Sequence, residues 1–210
     1  MRFDGGFGGG WVSKGVDLQT AYAVTSHIGV MVNGALTNSR GDAGNFSERV
    51  FTRSKYLEGG IGYFTHLEEN DNWVFEMFGG AGKGEYNVRY DEVNRARLSM
   101  NKYFIQPSLS FTHPRRFIEL SIGSRFSGVD YYQYSFFYPN TQNYENLDRI
   151  ITHPLYMFWE PSVKFSAGSK TIKGFVSYTP AISILESDFS REIINFNIGL
   201  RLVFNASQKR

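Results

Sequence analysis

Ten charged side chains stand singly inside stretches that otherwise alternate between apolar and small residues: Asp17, Glu58, Glu76, Lys102, Glu119, Arg125, Glu160, Lys164, Lys173 and Arg201. Five are acids and five are bases, so the chemistry they suit is mutual neutralisation through ion pairs and hydrogen bonds. Acid–base catalysis would need a histidine beside a carboxylate, and nucleophilic catalysis a serine beside a histidine base. His27, His66 and His113 fall at expected tight turns, where a histidine ordinarily caps a turn in solvent. Only His153, with Asp148, can be drawn as a dyad. No His-x-x-x-His or carboxylate–histidine spacing suggests zinc. The acidic turn Glu68 to Asn72 lacks calcium-loop spacing, and the glycines at 8–10 and 79–82 lack the helix and Lys-Ser/Thr of a phosphate cradle. No catalytic residue, metal ligand or cofactor is therefore assigned.

The elements that must position these charges are strands. The last of them, Ile193 to Phe204, places Ile194, Phe196, Ile198, Leu200, Leu202 and Phe204 on one face and Asn195, Asn197, Gly199 and Arg201 on the other. The same period of two recurs nine times before it: Arg2 to Trp11, Val16 to Val24, Ile28 to Asn33, Lys55 to Tyr63, Trp73 to Val88, Tyr103 to Phe111, Ile118 to Phe126, Leu155 to Ser166 and Val176 to Ile184. Connections after strands two, four, six and eight are short. Polar stretches Thr37 to Ser54, Arg89 to Ala96 and Gln133 to Arg149 read as long loops after strands three, five and seven. Pro107, Pro161 and Pro180 interrupt predicted strands and mark expected bulges or register breaks.

The totals agree with one barrel. There are 210 residues with no Pro/Ser-rich linker, 19 Phe, 13 Tyr, 3 Trp and 22 Gly, a composition that suits aromatic girdles and crowded positions. A formal net charge of +2 gives no basic surface for nucleic acid. No apolar run reaches eighteen residues, which rules out a spanning helix and leaves a spanning barrel open; a mean hydropathy of −0.32 is compatible with the latter. Zero cysteine removes disulfide and thiol chemistry. Met1-Arg2-Phe3-Asp4 lacks the order of a signal peptide, so export would need one that was removed or is not included here.

Alternation alone does not separate a membrane barrel from a soluble lipocalin-like barrel, which keeps its apolar face inside. The polar face is rich in glycine and serine and carries charges of both signs, as a narrow lumen would. For about ten strands such a lumen is largely filled by side chains, against a general diffusion pore.

The final strand, closing on Phe204, resembles that of outer-membrane β-barrel proteins, where it serves as an assembly signal; Phe196, Ile198, Leu200, Leu202 and Phe204 would carry it. The six-residue tail 205–210 departs from that form. Residues 15–30 and Gly59-Gly60-Ile61-Gly62-Tyr63-Phe64 resemble the opening strands of small outer-membrane barrels of the Bacteroidota type. The resemblance implies a bacterial outer-membrane location and no single activity. The expectation is an all-β chain: one antiparallel up-and-down transmembrane β-barrel over 1–204, ten strands with eight as the alternative, and a short periplasmic tail at 205–210. Its expected partners are the lipid bilayer, lipopolysaccharide and other outer-membrane proteins. The expected function is non-enzymatic: a surface or scaffold component binding a protein, glycan or lipid through its loops. The aromatic cluster Tyr131, Tyr132, Tyr134, Phe136, Phe137 and Tyr138 is the candidate contact surface or outer girdle. Alternatives are an outer-membrane protease or lipid A-modifying enzyme, a narrow substrate-specific channel, and the soluble ligand-binding barrel.

Overall fold

A computed structural model describes residues 2–9, 13–42, 49–67, 72–89, 95–113, 117–137, 155–185 and 194–204. These form strands β1 (Arg2–Gly9), β2 (Ser13–Ala23), β3 (Ile28–Asp42), β4 (Arg49–His66), β5 (Trp73–Arg89), β6 (Arg95–His113), β7 (Ile118–Phe137), β8 (Leu155–Gly168), β9 (Ile172–Pro180), β10 (Ile182–Ser183) and β11 (Ile194–Val203). From β1 to β9 each strand pairs antiparallel with the next, and β11 closes the ring by pairing with both β9 and β1, Gly9 opposite Phe196 and Arg2 opposite Val203. Closure leaves no free edge in the ring, the condition for putting a sheet into lipid. The ring has ten members, because β10 continues β9 along β8. The protein is a ten-stranded transmembrane β-barrel.

The orientation of the faces separates it from a soluble barrel. Ile61 and Leu200 point outward at 63% and 60% exposure, while Asp4 and Glu58 point into the bore at 1%. A belt of apolar residues, Val30, Ile61, Ile105, Phe126, Trp159 and Ile182 among them, runs across the outside through directly paired positions. Such a surface is stable only against hydrocarbon.

Three expectations about connections are corrected. The stretch Thr37 to Ser54 is mostly paired strand, with β3 running to Asp42 and β4 starting at Arg49. Strands β5 and β6 likewise run to Arg89 and from Arg95, and β7 runs to Phe137. Alternation signals a strand only where one face meets lipid. Beyond the bilayer the outward face turns polar and, on β6, the apolar residues Ala96, Leu98 and Met100 point inward, so the lipid-facing pattern stops while the ladder continues. The barrel is consequently lopsided: β4 to β7 have 17 to 20 residues, against 8 in β1 and 9 in β9. On β6 the apolar outward face spans only Tyr103 to Phe111, and the eight residues from Arg95 to Lys102 stand beyond it. At roughly 3.3 Å per residue and a tilt of about 40°, that wall rises about 20 Å past the lipid boundary.

The prolines behave more simply than separate bulges. Val163 pairs with Tyr178 and Trp159 with Ile182 in one unshifted register, which sets Pro161 opposite Pro180 in the gap between them. Two residues without an N–H thus share one interruption. The β6–β7 ladder similarly skips Gln106 and Pro107 and resumes unshifted at Ser108. The register shift lies elsewhere, at Tyr132, an extra β7 residue between the partners of Ser99 and Met100.

Candidate functional site

All ten charges read from the sequence lie on the bore side, and the fold gathers most of them into two clusters. Nearer the barrel end that carries the β2–β3 and β8–β9 turns, Arg201 donates from Nε to Asp4 Oδ1 at 2.9 Å and from Nη2 to Asp4 Oδ2 at 3.2 Å, while Nη1 donates to Glu119. Lys173 donates to the other oxygen of Glu119 at 2.8 Å, and Lys164 donates to Asp4 at 2.6 Å. Asp4 and Arg201 are directly paired across the closing seam, so the barrel's first and last strands are joined by charge as well as by backbone. Glu119 reaches them from β7 on the other side of the bore. Asp17 lies within electrostatic reach of Lys164 and Asp4.

The second cluster centres on Glu58, which accepts from Arg125 Nη2 at 2.6 and 2.8 Å and from Asn33 Nδ2 at 2.9 Å, with Lys102 at 3.7 Å. Arg125 also lies 3.5 Å from Glu160, which accepts from Ser127 at 3.3 Å. Glu58 and Lys102 project from β4 and β6 with Gly82 of β5 between them, where a Cβ would stand 2.5 Å from that of Glu58. Glu76, also on the bore face, sits between Phe64 and Ser108, outside both clusters. Asp4 and Asn33 are members that the sequence reading did not single out. The alternation of Phe3 and Phe7 against Asp4 was the available signal for the first.

Rings occupy much of the remaining bore. Lys102 lies over Tyr56 at 4.5 Å, Arg125 over Phe104 at 4.2 Å and Lys164 over Phe175 at 4.0 Å. Inward glycines make room for these rings: a Cβ on Gly80 would lie 2.8 Å from Phe104, and one on Gly199 2.7 Å from Phe175. Above the second cluster the inner wall is apolar, with Leu98, Met100, Val129, Tyr131, Tyr156 and Phe158 packed together. Paired charges, rings seated on glycines and an apolar upper layer together leave little of a ten-strand bore for a continuous aqueous path.

Tyr131 therefore does not join a contact surface. It is buried in the bore with its ring edge-on to Tyr156 at 5.7 Å, because inward alternation continues past Phe126 through Ser127 and Val129. Tyr132, at the bulge, is exposed. Tyr134, Phe136 and Phe137 belong to β7, their side chains outside the described residues, as is Tyr138. Of the residues considered for an assembly signal, Phe196, Ile198, Leu200 and Phe204 face outward and exposed, with Leu202 half-buried on the same face.

The histidines are not brought together for catalysis. His27 sits in the β2–β3 turn, stacked on Tyr63 with centroids 5.8 Å apart, and His66 and His113 end β4 and β6. The His153–Asp148 pair and the tail 205–210 lie outside the described residues. Among the described residues no group of three His, Cys, Asp or Glu is arranged to hold a metal ion.

No family model matches this chain. No curated protein matches it either. Among solved structures it is similar to the KdgM porin, at 8% identity and a TM-score of 0.41 over 98% of this chain and 100% of that one. It is also similar to the translocator domain of the autotransporter NalP from Neisseria meningitidis, at 11% identity and 0.49 over 97% and 87%, and to the NanC porin, at 9% and 0.38 over 97% and 99%. At this level the similarities carry no argument about function; the barrel assignment rests on the chain's own closed register and outward apolar faces.

Proposed function

We propose that the protein is a non-enzymatic surface component of a bacterial outer membrane, closed to free diffusion, which presents the wall built by β4 to β7 and the connections above it to a partner outside the cell. The observation that carries this reading is the contrast between bore and wall. Charges in the bore are spent on one another across the lumen, whereas four strands extend some eight residues beyond what spanning requires. Strand length past the bilayer adds nothing to anchoring. It is explained by something bound outside.

A narrow conduit is the second reading. It is favoured by buried polar atoms on the bore side, Asp17 Oδ1, Asn33 Oδ1 and Ser166 Oγ, that have no protein hydrogen-bond partner and would be met by lumen water. Single-channel recording in planar bilayers separates the two. The closed reading expects no steady conductance from the native chain and the appearance of steps when Arg201→Ala and Arg125→Ala remove the cross-lumen side chains. Stable open steps from the native chain would replace it with the conduit.

A further inference from the structure

Pro107, Pro161 and Pro180 share one level of the barrel. Pro107 stands opposite Met77 on β5, Ser124 opposite Pro161, and Pro180 opposite Ile194 on β11. Carrying the unshifted registers across the two interruptions sets Pro107 beside Ser124 and Pro161 beside Pro180, so a single row crosses β6, β7, β8 and β9. The row lies in the middle of the lipid-facing band, between Ile105, Phe126, Trp159 and Ile182 on one side and Leu109, Ile122, Val163 and Tyr178 on the other. Opposed residues of a hydrogen-bonded antiparallel pair exchange N–H and C=O with each other. The missing N–H groups therefore open the β6–β7 and β8–β9 junctions, and they deprive the carbonyls of Ser124, Pro161 and Pro180 of the donor a ladder would supply. Hydrocarbon offers no replacement. Any other apolar residue at these positions would have kept the bonds.

At this level β7 and β8 are joined to each other, Arg125 opposite Glu160 and Trp159 Nε1 donating to Ser124 Oγ at 2.7 Å, while the ladders to β6 and to β9 are interrupted. The ribbon can bow outward here without breaking a ladder bond on either flank. Its inward side chains include Arg125 and Glu160, and Arg125 reaches past β6 and β5 to Glu58 at 2.6 and 2.8 Å. Glu58 stands on a firm base, because the β4–β5 ladder runs unbroken from Phe51 to His66. We infer that residues 123–126 with 160–162 form a movable segment of the bore wall, released by the proline row and latched shut by Arg125 on Glu58. Outward movement parts the second charge cluster; return re-forms it. This device goes beyond the surface-display reading and does not depend on whether the bore conducts.

The test is amide hydrogen exchange of the full chain in nanodiscs, read by mass spectrometry. At about tenfold per missing ladder bond, peptides over 122–127 and 159–163 should exchange about 100-fold faster than those over the unbroken rows 60–64 and 76–80 of β4 and β5. Pro107→Val/Pro161→Val/Pro180→Val restores the N–H groups from the lipid face and should bring the β7–β8 peptides to within about tenfold of the β4–β5 ones. Arg125→Met removes the latch and leaves Glu58 with Asn33 and Lys102. It should speed β7–β8 exchange by a further factor of about ten beside the native prolines and by less than about two beside the valines. Equal exchange on the two sides of the native barrel, or an Arg125→Met effect of the same size with and without the prolines, overturns the proposal. If a variant does not fold, Pro161→Val/Pro180→Val replaces the triple valine variant and Glu58→Gln replaces Arg125→Met, under the same criteria. Exchange reads the backbone, so steady conduction by the native chain, which would sink the closed reading, leaves this outcome unaffected.

Discussion

Replacing Glu119 by Gln removes one charge and almost no volume, at the point where the lower cluster is most interdependent. Glu119 accepts from Arg201, from Lys173 at 2.8 Å and from Ser121 at 3.4 Å, and it is 8% exposed. The Glu119→Gln variant leaves Lys173 buried without its carboxylate and Arg201 with Asp4 alone. Removing one partner of a buried pair costs about 3–5 kcal/mol, because the stranded charge remains desolvated. For a urea slope of about 2 kcal/mol per M, the unfolding midpoint falls by about 2 M. The assay is urea unfolding of the liposome-reconstituted barrel at pH 8, followed by loss of the fast-migrating unboiled band. Glu119→Gln/Lys173→Met should recover a large part of the loss, since the stranded lysine is gone; the coupling is read from the double-mutant cycle. A midpoint shift under about 0.5 M, with no coupling to Lys173, would mean that the cations are hydrated where they stand. The bore would then be wet, and the argument for closure would fail with it.

Three further outcomes are expected. Gly80→Val should destabilise by about 2 kcal/mol or more, because its Cβ would lie 2.2 Å from Gly59 O and 2.8 Å from Phe104, whereas Gly59→Val, whose Cβ meets only Met31 O at 3.8 Å, should be nearly neutral; equal urea midpoints would refute the seating of rings on glycines. Leu200→Lys, between Ile198 and Leu202 on the lipid face, should cost about 2–4 kcal/mol in liposomes, while Asn101→Lys at the boundary of β6 should cost under about 1 kcal/mol, and the reverse order would place the lipid boundary wrongly. Hydrogen bonds from Lys55 and then Arg97 hold the carboxyl of Glu85, outside the bilayer, below its usual 4.5. The folded value being the lower one, its contribution is complete above 4.5 and is lost as pH falls through the folded value. Carbon NMR titration should therefore show a Glu85 midpoint that rises in Lys55→Met/Arg97→Met; an unmoved midpoint counts against the pairing.

Much of the barrel was written in local pattern. Lipid on one side and a crowded bore on the other impose a period of two, so strand number, face assignment and the inward placement of Asp17, Glu58, Glu76, Lys102, Glu119, Arg125, Glu160, Lys164, Lys173 and Arg201 could be read residue by residue. Which charge meets which could not. Asp4 and Arg201 are 197 positions apart and Glu58 and Arg125 are 67 apart, and their pairing follows from ring closure and register, which no local window contains. Strand length beyond the bilayer was hidden for the opposite reason: with water on the outer face, Thr37 to Asp42 and Arg49 to Ser54 have no apolar face to alternate, and their hydrogen bonds leave no mark on residue type. Tyr131 continues the inward alternation of Ser127 and Val129 past Phe126, but local pattern grouped it with the aromatic residues that follow it. The chemistry of each face is thus a property of the sequence, because solvent selects residues one at a time; the clusters and the height of the wall are properties of the closed sheet, because only closure brings distant strands to the same place.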